Sequence, residues 1–569
     1  MPPSNADVAK LLTAPGAPFE VAEAEVHGRR MRVWKHAAPS LRALLDLSRL
    51  HGDKTFLVYE DERFSFDDHW RAAAQVGRVL VERFGVRKGD RVAIAMRNFP
   101  EWPMAFFGAT AVGAIAVPLN AWWTGEELEY GLRDSSSSIL FCDAERAARV
   151  APFLDSLPDL RHVVVARPDE EPIPPEFERF DALVARPAPD VKLPDVPVDP
   201  DDDATLFYTS GTTGRPKGAL GTHRNICGNV VSLAYGNVRT LLRSGDALPK
   251  PDPARPQAAQ LLSVPLFHAT GCHAVLCGNL AFGGKLVMMW KWDAGRALEL
   301  IERERVTSFG GVPAMVWQVL EHPDFGRRDL SSVQSVGYGG APAAPELVRR
   351  IQQSFPKSSP GQGYGLTETS SVTTLIGGAD YVLHPDSVGA PVAVVDLKIC
   401  DEAGRELPVG DIGEVWIRGP NVVKGYWRRP EATAETFPGG WLRSGDVGRV
   451  DEDGFLYLVD RAKDMLIRGG ENVYCVEVES VLYEHPAVMD AAVVGIPHKV
   501  LGEEVGAVVQ VVPGRAVTEK ELQDHVAAKL AAFKVPVRIE LRSEPLPRNA
   551  NGKILKRDLK EHMARYARG

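Results

Sequence analysis

The sequence has little that would tie it to an oxidising compartment, a nucleic acid or a membrane. Among its 569 residues there are only six cysteines, Cys142, Cys227, Cys272, Cys277, Cys400 and Cys475. They form no Cys-x-x-Cys pair and no cluster with histidine at zinc spacing. They are expected as small buried residues in a reducing cytoplasm. Positive charge is not in excess: 66 basic residues stand against 75 acidic ones, for a net charge of -9. A general nucleic-acid binder is usually basic, so that class loses ground. The longest apolar stretch, Met104 to Leu119, is interrupted by Gly108, Gly113 and Pro118. It is shorter than a membrane span and reads as buried α/β core. The N-terminus, Met1-Pro-Pro-Ser-Asn-Ala-Asp7, has neither a basic start nor an apolar run, so no signal peptide is visible. A cytoplasmic protein without a transmembrane segment or a nucleic-acid partner is therefore expected.

What is present is an ordinary globular composition, 44% hydrophobic and 25% charged. The chain is too long for one compact core, so two or more domains are expected. Thr55–Tyr59 and Phe64–Phe66 flank a charged turn and predict a hairpin. Residues 67–84 carry helical spacing up to Gly85, Arg91–Met96 reads as a buried strand, and Trp102-Pro103 opens an apolar helix. This alternation over residues 54–200 implies a mostly parallel sheet with helices on its faces, whose ligands lie beyond the strands' C-terminal ends. Residues 237–260 are polar and proline-rich and predict a surface excursion. From about residue 392 short strands and turns take over. After Asp460–Lys463 the pattern becomes α+β: a strand pair near 490–512, a helix at 518–532, a strand at 537–541 and a basic helix at 554–566.

One loop stands out. Tyr208-Thr-Ser-Gly-Thr-Thr-Gly-Arg-Pro-Lys-Gly218 follows a strand-like run. Its glycines let backbone N–H groups turn around an anion, and its hydroxyls and Lys217 add donors, so it can hold phosphate. It is not the usual P-loop, because Arg215 and Pro216 separate Gly214 from Lys217. Four further islands accompany it. Ser335–Pro342 is a strand running into a glycine turn suited to a flat ligand. Gly361–Glu368 brings together Tyr364 to stack on a base, Thr367 to bond a phosphate and Glu368 to hold Mg2+. Trp441–Asp446 presents a carboxylate on a tight turn, suited to ribose hydroxyls. Pro547–Lys553 is a polar turn presenting one lysine. Taken singly, Asp446 is more often a turn former, Tyr364 a core residue and Lys553 a surface cation; together, in this order, they are not independent.

The order resembles the adenylate-forming superfamily of acyl-CoA synthetases, peptide-synthetase adenylation domains and luciferases, over roughly residues 40–560. The matching motifs are Thr209–Gly218, Gly363–Glu368, Ser444–Asp446, Asp460–Asp464 with Gly469–Asn472, and Asn551–Lys553. The resemblance implies an α/β fold: a large N-terminal domain, residues 1–462, of mixed, mostly parallel sheets plus a β-rich subdomain, and a small mobile α+β domain, residues 463–569. It implies ATP, Mg2+ and coenzyme A as cofactors and a small carboxylic acid as substrate, with homodimer formation left open. In the first half-reaction the acid attacks the α-phosphorus of Mg-ATP. Lys553 is the implied cation, Glu368 the metal ligand and Thr367 the α-phosphate contact. Asp446 and Arg461 hold the ribose, and Gly340, Ala341, Tyr364 and Gly365 the adenine side. Thr209, Ser210, Gly211, Thr212, Thr213, Gly214 and Lys217 cradle the pyrophosphate. In the second the small domain turns about Lys463, and Gly469, Gly470 and Glu471 form the channel through which the CoA thiol attacks. An acyl carrier-protein acceptor carries the same thiol and is the alternative, and a nucleotide binder without catalysis a distant one.

Two departures appear. Cys475 stands where relatives commonly have Pro or Ser, and the excursion at 237–260 is long. The acid itself is addressed by His268. Relatives that activate amino acids carry an Asp there to pair with the ammonium, and a buried ammonium without a carboxylate is costly. The segments His273–Cys277 and Gly310–Trp317 are apolar, and burial contributes about 0.8 kcal/mol per CH2. A medium- or long-chain fatty acid is therefore the first expectation and an aromatic acid the second, with His268 in the catalytic pocket or gating it.

Overall fold

The computed structural model describes residues 3–168, 173–184, 188–209, 215–247, 252, 255–340, 345–461, 464–469, 471–549 and 552–566. Among them, two large sheets carry the site. The first has seven strands in the order Lys217–Thr222, Asp203–Thr209, Ile115–Pro118, Arg91–Ala95, Ile139–Asp143, His162–Ala166, Glu178–Arg179. All but the edge strand Lys217–Thr222 run parallel. Its central strands are continuous apolar runs because helices cover both faces. Three of the helices start where a hydroxyl satisfies their orphan N–H groups: Ser65, Thr124 and Thr222 each form a capping box.

The second sheet has nine strands. Its parallel centre runs Ser359–Tyr364, Ser335–Gly339, Ser308–Gly311, Ala259–Leu262, Lys285–Met288, Thr55–Tyr59. The predicted hairpin is there, with Thr55–Tyr59 antiparallel to Glu62–Ser65. Asn98, just beyond strand Arg91–Ala95, donates to the Val264 carbonyl (3.2 Å) and accepts from the Leu266 N–H (2.9 Å). It thus ties the C-terminal edges of the two sheets together, and those edges are where ligands of such sheets sit.

Beyond residue 395 a four-stranded antiparallel sheet, Asp396–Cys400, Gly413–Arg418, Leu442–Val450, Leu456–Arg461, forms the β-rich part. The last sheet pairs Val488–His498 with Gly502–Val511, with Arg538–Arg542 parallel to the latter. Alternation decides its two faces. Val493, Val505 and Val509 pack with Leu482, Leu522 and Val526 on one side, while Ala492, Val494 and Val508 meet Leu559 and Met563 on the other.

Two expectations are corrected. The predicted excursion does not begin at 237, because helix His223–Arg243 runs through that stretch. Arg239, buried, holds it down by donating to the carbonyls of Leu375, Ala390 and Pro391. Residues 259–260 already belong to strand Ala259–Leu262. The helix expected over 67–84 is α-helical only over Phe66–Arg78 and widens to a π turn over Val79–Arg83. All six cysteines are buried thiols. No described helix is long and apolar enough to cross a membrane.

Candidate active site

A cavity of about 1310 Å³ opens where the C-terminal ends of the nine-stranded sheet meet the last sheet and its helices. Its wall carries Gly340, Tyr364, Gly365, Asp446, Arg461 and Lys553, six of the predicted site residues, from five separate islands of sequence.

Tyr364 is the last residue of strand Ser359–Tyr364. Its hydroxyl donates to Asp446 Oδ2 at 2.7 Å. Burial first, and the Asp446 charge second, hold this phenol well above its usual range, so it stays a neutral donor. Asp446 and Arg461 face each other across antiparallel strands, with Nε 3.1 Å from Oδ1. Ser444 steadies the turn by accepting from the Asp446 N–H (3.1 Å) and donating to the Val415 carbonyl (2.6 Å). The carboxylate expected on an exposed turn is instead buried within strand Leu442–Val450. Its bonds to Tyr364 and Arg461 make burial tolerable. Gly365 follows Tyr364 directly, and a Cβ there would lie 1.4 Å from the Ser371 carbonyl oxygen, so only glycine fits.

Lys553 closes a hairpin turn. Its N–H donates to Asn549 Oδ1 (3.0 Å), and the Asn549 N–H donates to its carbonyl (2.9 Å). The turn backs onto the large domain at Val312, whose Cγ2 lies 2.6 Å from where a Gly552 Cβ would be.

Thr209, Lys217, Thr367 and Glu368 are not on the described wall of this cavity. They gather beside it. Thr209 and Lys217 are opposite partners in the hairpin (Oγ1 to carbonyl, 3.4 Å). Thr367 and Glu368 lie on the single turn Thr367–Thr369. The link is Tyr426, which the sequence reading did not single out. Its hydroxyl donates to Glu368 Oε1 at 2.7 Å, and Lys217 Nζ lies 5.0 Å from its ring centroid. Burial, then Glu368, raise the Tyr426 phenol above its usual range. The signal in sequence was the dipeptide Tyr426-Trp427 after Lys424-Gly425, in which nothing specified a partner 58 residues upstream.

Among the described residues no group of three His, Cys, Asp or Glu could by itself cage a metal. One carboxylate beside a phosphate-suited hairpin does fit Mg2+, which is usually held by one or two carboxylates together with substrate phosphates. Gly469 and Glu471 also lie off the cavity wall. Ser210, Gly211, Thr212, Thr213, Gly214, Ala341, Lys463 and Gly470 lie outside the described residues.

His268 follows strand Ala259–Leu262 with its ring tilted on Phe267 (4.8 Å), and its Nε2 finds no partner among the described residues. Burial lowers its pKa to about 3, so the imidazole is neutral. His273 was part of a segment expected to line the acid's tail. It is buried edge-on to Phe207 (4.8 Å) with Nδ1 3.3 Å from the Ser370 carbonyl, and burial lowers it to about 4. Leu276 and Cys277 beside it are core residues.

These two histidines, with buried His69 (about 3) and His223 (about 4), give an acid sensitivity. Their folded pKa values lie below the ordinary 6.5, so the unfolded chain binds more protons. The stabilisation is complete above about pH 6.5 and is lost as pH falls toward about 4, by up to about 1.4 kcal/mol per pH unit for each histidine. The melting temperature is expected to drop clearly between about pH 7 and about pH 5. An unchanged melting temperature would show that these rings are not buried neutral.

Residues 47–427 match the AMP-binding enzyme family, and residues 477–553 match the AMP-binding enzyme C-terminal domain. The chain is 38% identical over 476 residues to a feruloyl-CoA synthase of Amycolatopsis sp, covering 84% of this chain and 89% of the relative. It is 34% identical to a long-chain-fatty-acid–CoA ligase of Bacillus subtilis, covering 91% and 93%. The crystal structure of an anthranilate CoA ligase with anthranoyl-AMP is similar at a TM-score of 0.83 and 28% identity, over 93% of this chain and 98% of that one. The chain belongs to the AMP-binding, adenylate-forming enzyme family. Within it, this is an acid–thiol ligase of the AMP-forming acyl-CoA synthetase kind.

Proposed function

We propose that the chain joins a carboxylic acid with an uncharged, apolar tail to coenzyme A in two half-reactions, through an acyl-adenylate. The observation that carries this reading is Lys553 on the wall of the cavity that also holds Tyr364, Asp446 and Arg461. The first half-reaction brings a carboxylate to a polyanion. Two unit charges about 4 Å apart repel by about 4 kcal/mol at an effective dielectric of about 20. A positioned ammonium relieves that repulsion where it develops, and Lys553 has this role. Asp446 and Arg461 take the ribose hydroxyls, and Gly340, Ala341 and Tyr364 the adenine. Thr367 contacts the α-phosphate, and residues Thr209–Lys217 receive the pyrophosphate. Glu368, oriented by Tyr426, would hold Mg2+, which supplies further charge neutralisation when bound. In the second half-reaction residues 463–569 turn about Lys463, bringing Gly469–Glu471 to the site for the thiol. Lys553 on the wall with Gly469 and Glu471 off it fits the first of these poses.

For the acid, relatives of both kinds support an apolar tail, one named for ferulate and one for long-chain fatty acids. A fatty acid is the reading from sequence. One observation favours the compact aromatic acid instead: Leu276 and Cys277, in a segment expected along the acid's tail, are packed into the protein core and leave less room for a long chain. A panel of acetate, octanoate, palmitate, 4-coumarate, ferulate and phenylalanine with ATP and CoA, read by mass spectrometry of the thioester, decides. Aromatic acids are expected to lead, with octanoate ahead of acetate. A preference for acetate or phenylalanine would overturn the apolar, uncharged tail. A carrier protein replacing CoA in the same assay tests the acceptor.

A further inference from the structure

The helix Cys475–Tyr483 packs into the core of the C-terminal domain, and its N-cap residue, Tyr474, makes no side-chain capping bond. A helix start leaves its first N–H groups without intrahelical partners. Here the Cys475 N–H donates to Asp460 Oδ2 at 2.5 Å. Asp460 belongs to strand Leu456–Arg461 of the four-stranded sheet, so the cap comes from across the segment where the turn of the domain is proposed. It is buried, and its other oxygen accepts the Arg461 N–H at 2.7 Å. On the far side Lys556 Nζ pairs with Glu479 at 2.6 Å, and Lys556 lies three residues beyond Lys553.

We propose that Asp460 is a positioning residue for adenylate formation: by capping the helix Cys475–Tyr483 from the large domain it holds the C-terminal domain in the pose that keeps Lys553 in the cavity. This rests on the two-pose reading above. Turning the small domain must break the bond, because its donor and acceptor lie on either side of the turning point. The contact of the Gly552 turn with Val312 is the second tie in the same pose.

The bond depends on an unusual residue choice. Proline is favoured at the first position of a helix because its missing N–H is an orphan there anyway. Cys475 occupies that position and keeps the N–H that Asp460 uses. The thiol is separately employed, donating to the Asp464 carbonyl at 3.0 Å.

The surroundings make the latch releasable. The groups facing Asp460 are Lys556 from the last helix, Glu479 and Cys475 from the capped helix, and the Arg461 N–H from its own strand, while Asp464 faces the Cys475 thiol. One ammonium thus serves two carboxylates. Burial, only partly offset by Lys556, raises Asp460 to about 6 from its ordinary 3.8. The sign follows: the capped pose takes up the proton more readily than a pose in which Asp460 is solvated. That preference is complete below about 4 and is lost as pH rises through about 6. At neutral pH the ionised cap therefore holds the pose less tightly than a neutral acceptor would.

The test compares the two half-reactions separately, using pyrophosphate exchange for the first and a synthetic adenylate for the second. The probe is the octanoyl or 4-coumaroyl adenylate, whichever acid the panel selects. Cys475→Pro removes the donor, and Cys475→Ala keeps it while removing the thiol. Cys475→Pro and Asp460→Ala are each expected to slow adenylation about fivefold, the effect of losing a helix cap worth about 1 kcal/mol. The thioester step should not slow, and the double variant should be no worse than either single one. Cys475→Ala should adenylate at the wild-type rate. Asp460→Asn keeps a neutral acceptor. It should retain adenylation, slow the thioester step at neutral pH and remove the dependence of the adenylation-to-thioester ratio on pH near 6. Equal loss of both halves in Cys475→Pro, additive effects in the double variant, or a pH-dependent ratio in Asp460→Asn would overturn the proposal. Should the alanine or proline variant fail to fold, Asp460→Asn decides alone. If Lys553→Ala also fails to separate the half-reactions, the two-pose reading falls as well. If it separates them and these variants do not, only the latch falls.

Discussion

Lys553→Ala is expected to lower acid-dependent pyrophosphate exchange by about 100- to 1,000-fold, the usual loss when one positioned charge donor is removed from a transition state. Thioester formation from a supplied acyl-adenylate should stay within a few-fold of wild type, because in the proposed second pose the lysine is out of the cavity. The structure supports this asymmetry. Lys553 is delivered by a turn held by its own backbone bonds with Asn549, and Gly552 in that turn approaches Val312 of the large domain. The backbone bonds between Asn549 and Lys553 do not depend on the lysine side chain. Lys553→Arg keeps the charge but not the compact ammonium and should recover only part of the exchange rate. Measuring both half-reactions in one preparation checks the expectation. Equal losses in both halves would remove Lys553 from a role confined to one pose.

Gly365→Ala is expected to cost stability at or above the upper end of the overpacking range, about 3 kcal/mol, and to abolish nucleotide binding. The added Cβ would lie 1.4 Å from the Ser371 carbonyl oxygen and 3.1 Å from Thr369 Oγ1. The obstacle is backbone, which a rotamer change cannot move. The backbone in question is already constrained, since Ser370 and Ser371 hold positive φ angles of 53° and 100°. Any shift also disturbs Tyr364 next door, whose hydroxyl holds Asp446. Denaturant unfolding and ATP binding by calorimetry measure the two effects. A variant with wild-type stability would show that the turn relaxes freely.

Much of the site was legible in sequence because its residues are punctuated locally. Gly365 marks the turn at the end of strand Ser359–Tyr364, Gly552 marks the turn before Lys553, and Gly445, with a positive φ of 71°, bends strand Leu442–Val450 just before Asp446. The structure brings the Gly365, Asp446 and Lys553 islands to one cavity. The hairpin at Thr55, the strands from 395 on and the last helix were legible for the same reason: their periodicity is set by which face is buried. The errors came where long-range bonds overrode composition. The polar stretch from residue 237 is helical because Arg239 and Arg243 find carbonyls and Asp380 more than a hundred residues away. Asp446 is buried, not exposed, because Tyr364 and Arg461 arrive from two other strands.

The sequence by itself determined the hairpin at Thr55, the strand pair and last helix of the C-terminal part, the glycine turns before Glu368 and Lys553 and the lysine on the cavity wall, since each depends on side chains close along the chain. The tertiary structure alone decided that Tyr426 orients Glu368, that the segment around Leu276 fills core, and that Asp460 caps a helix of the other domain. These are meetings between residues whose spacing along the chain follows no period, and only the packing of one sheet edge against another brings them within reach of a hydrogen bond.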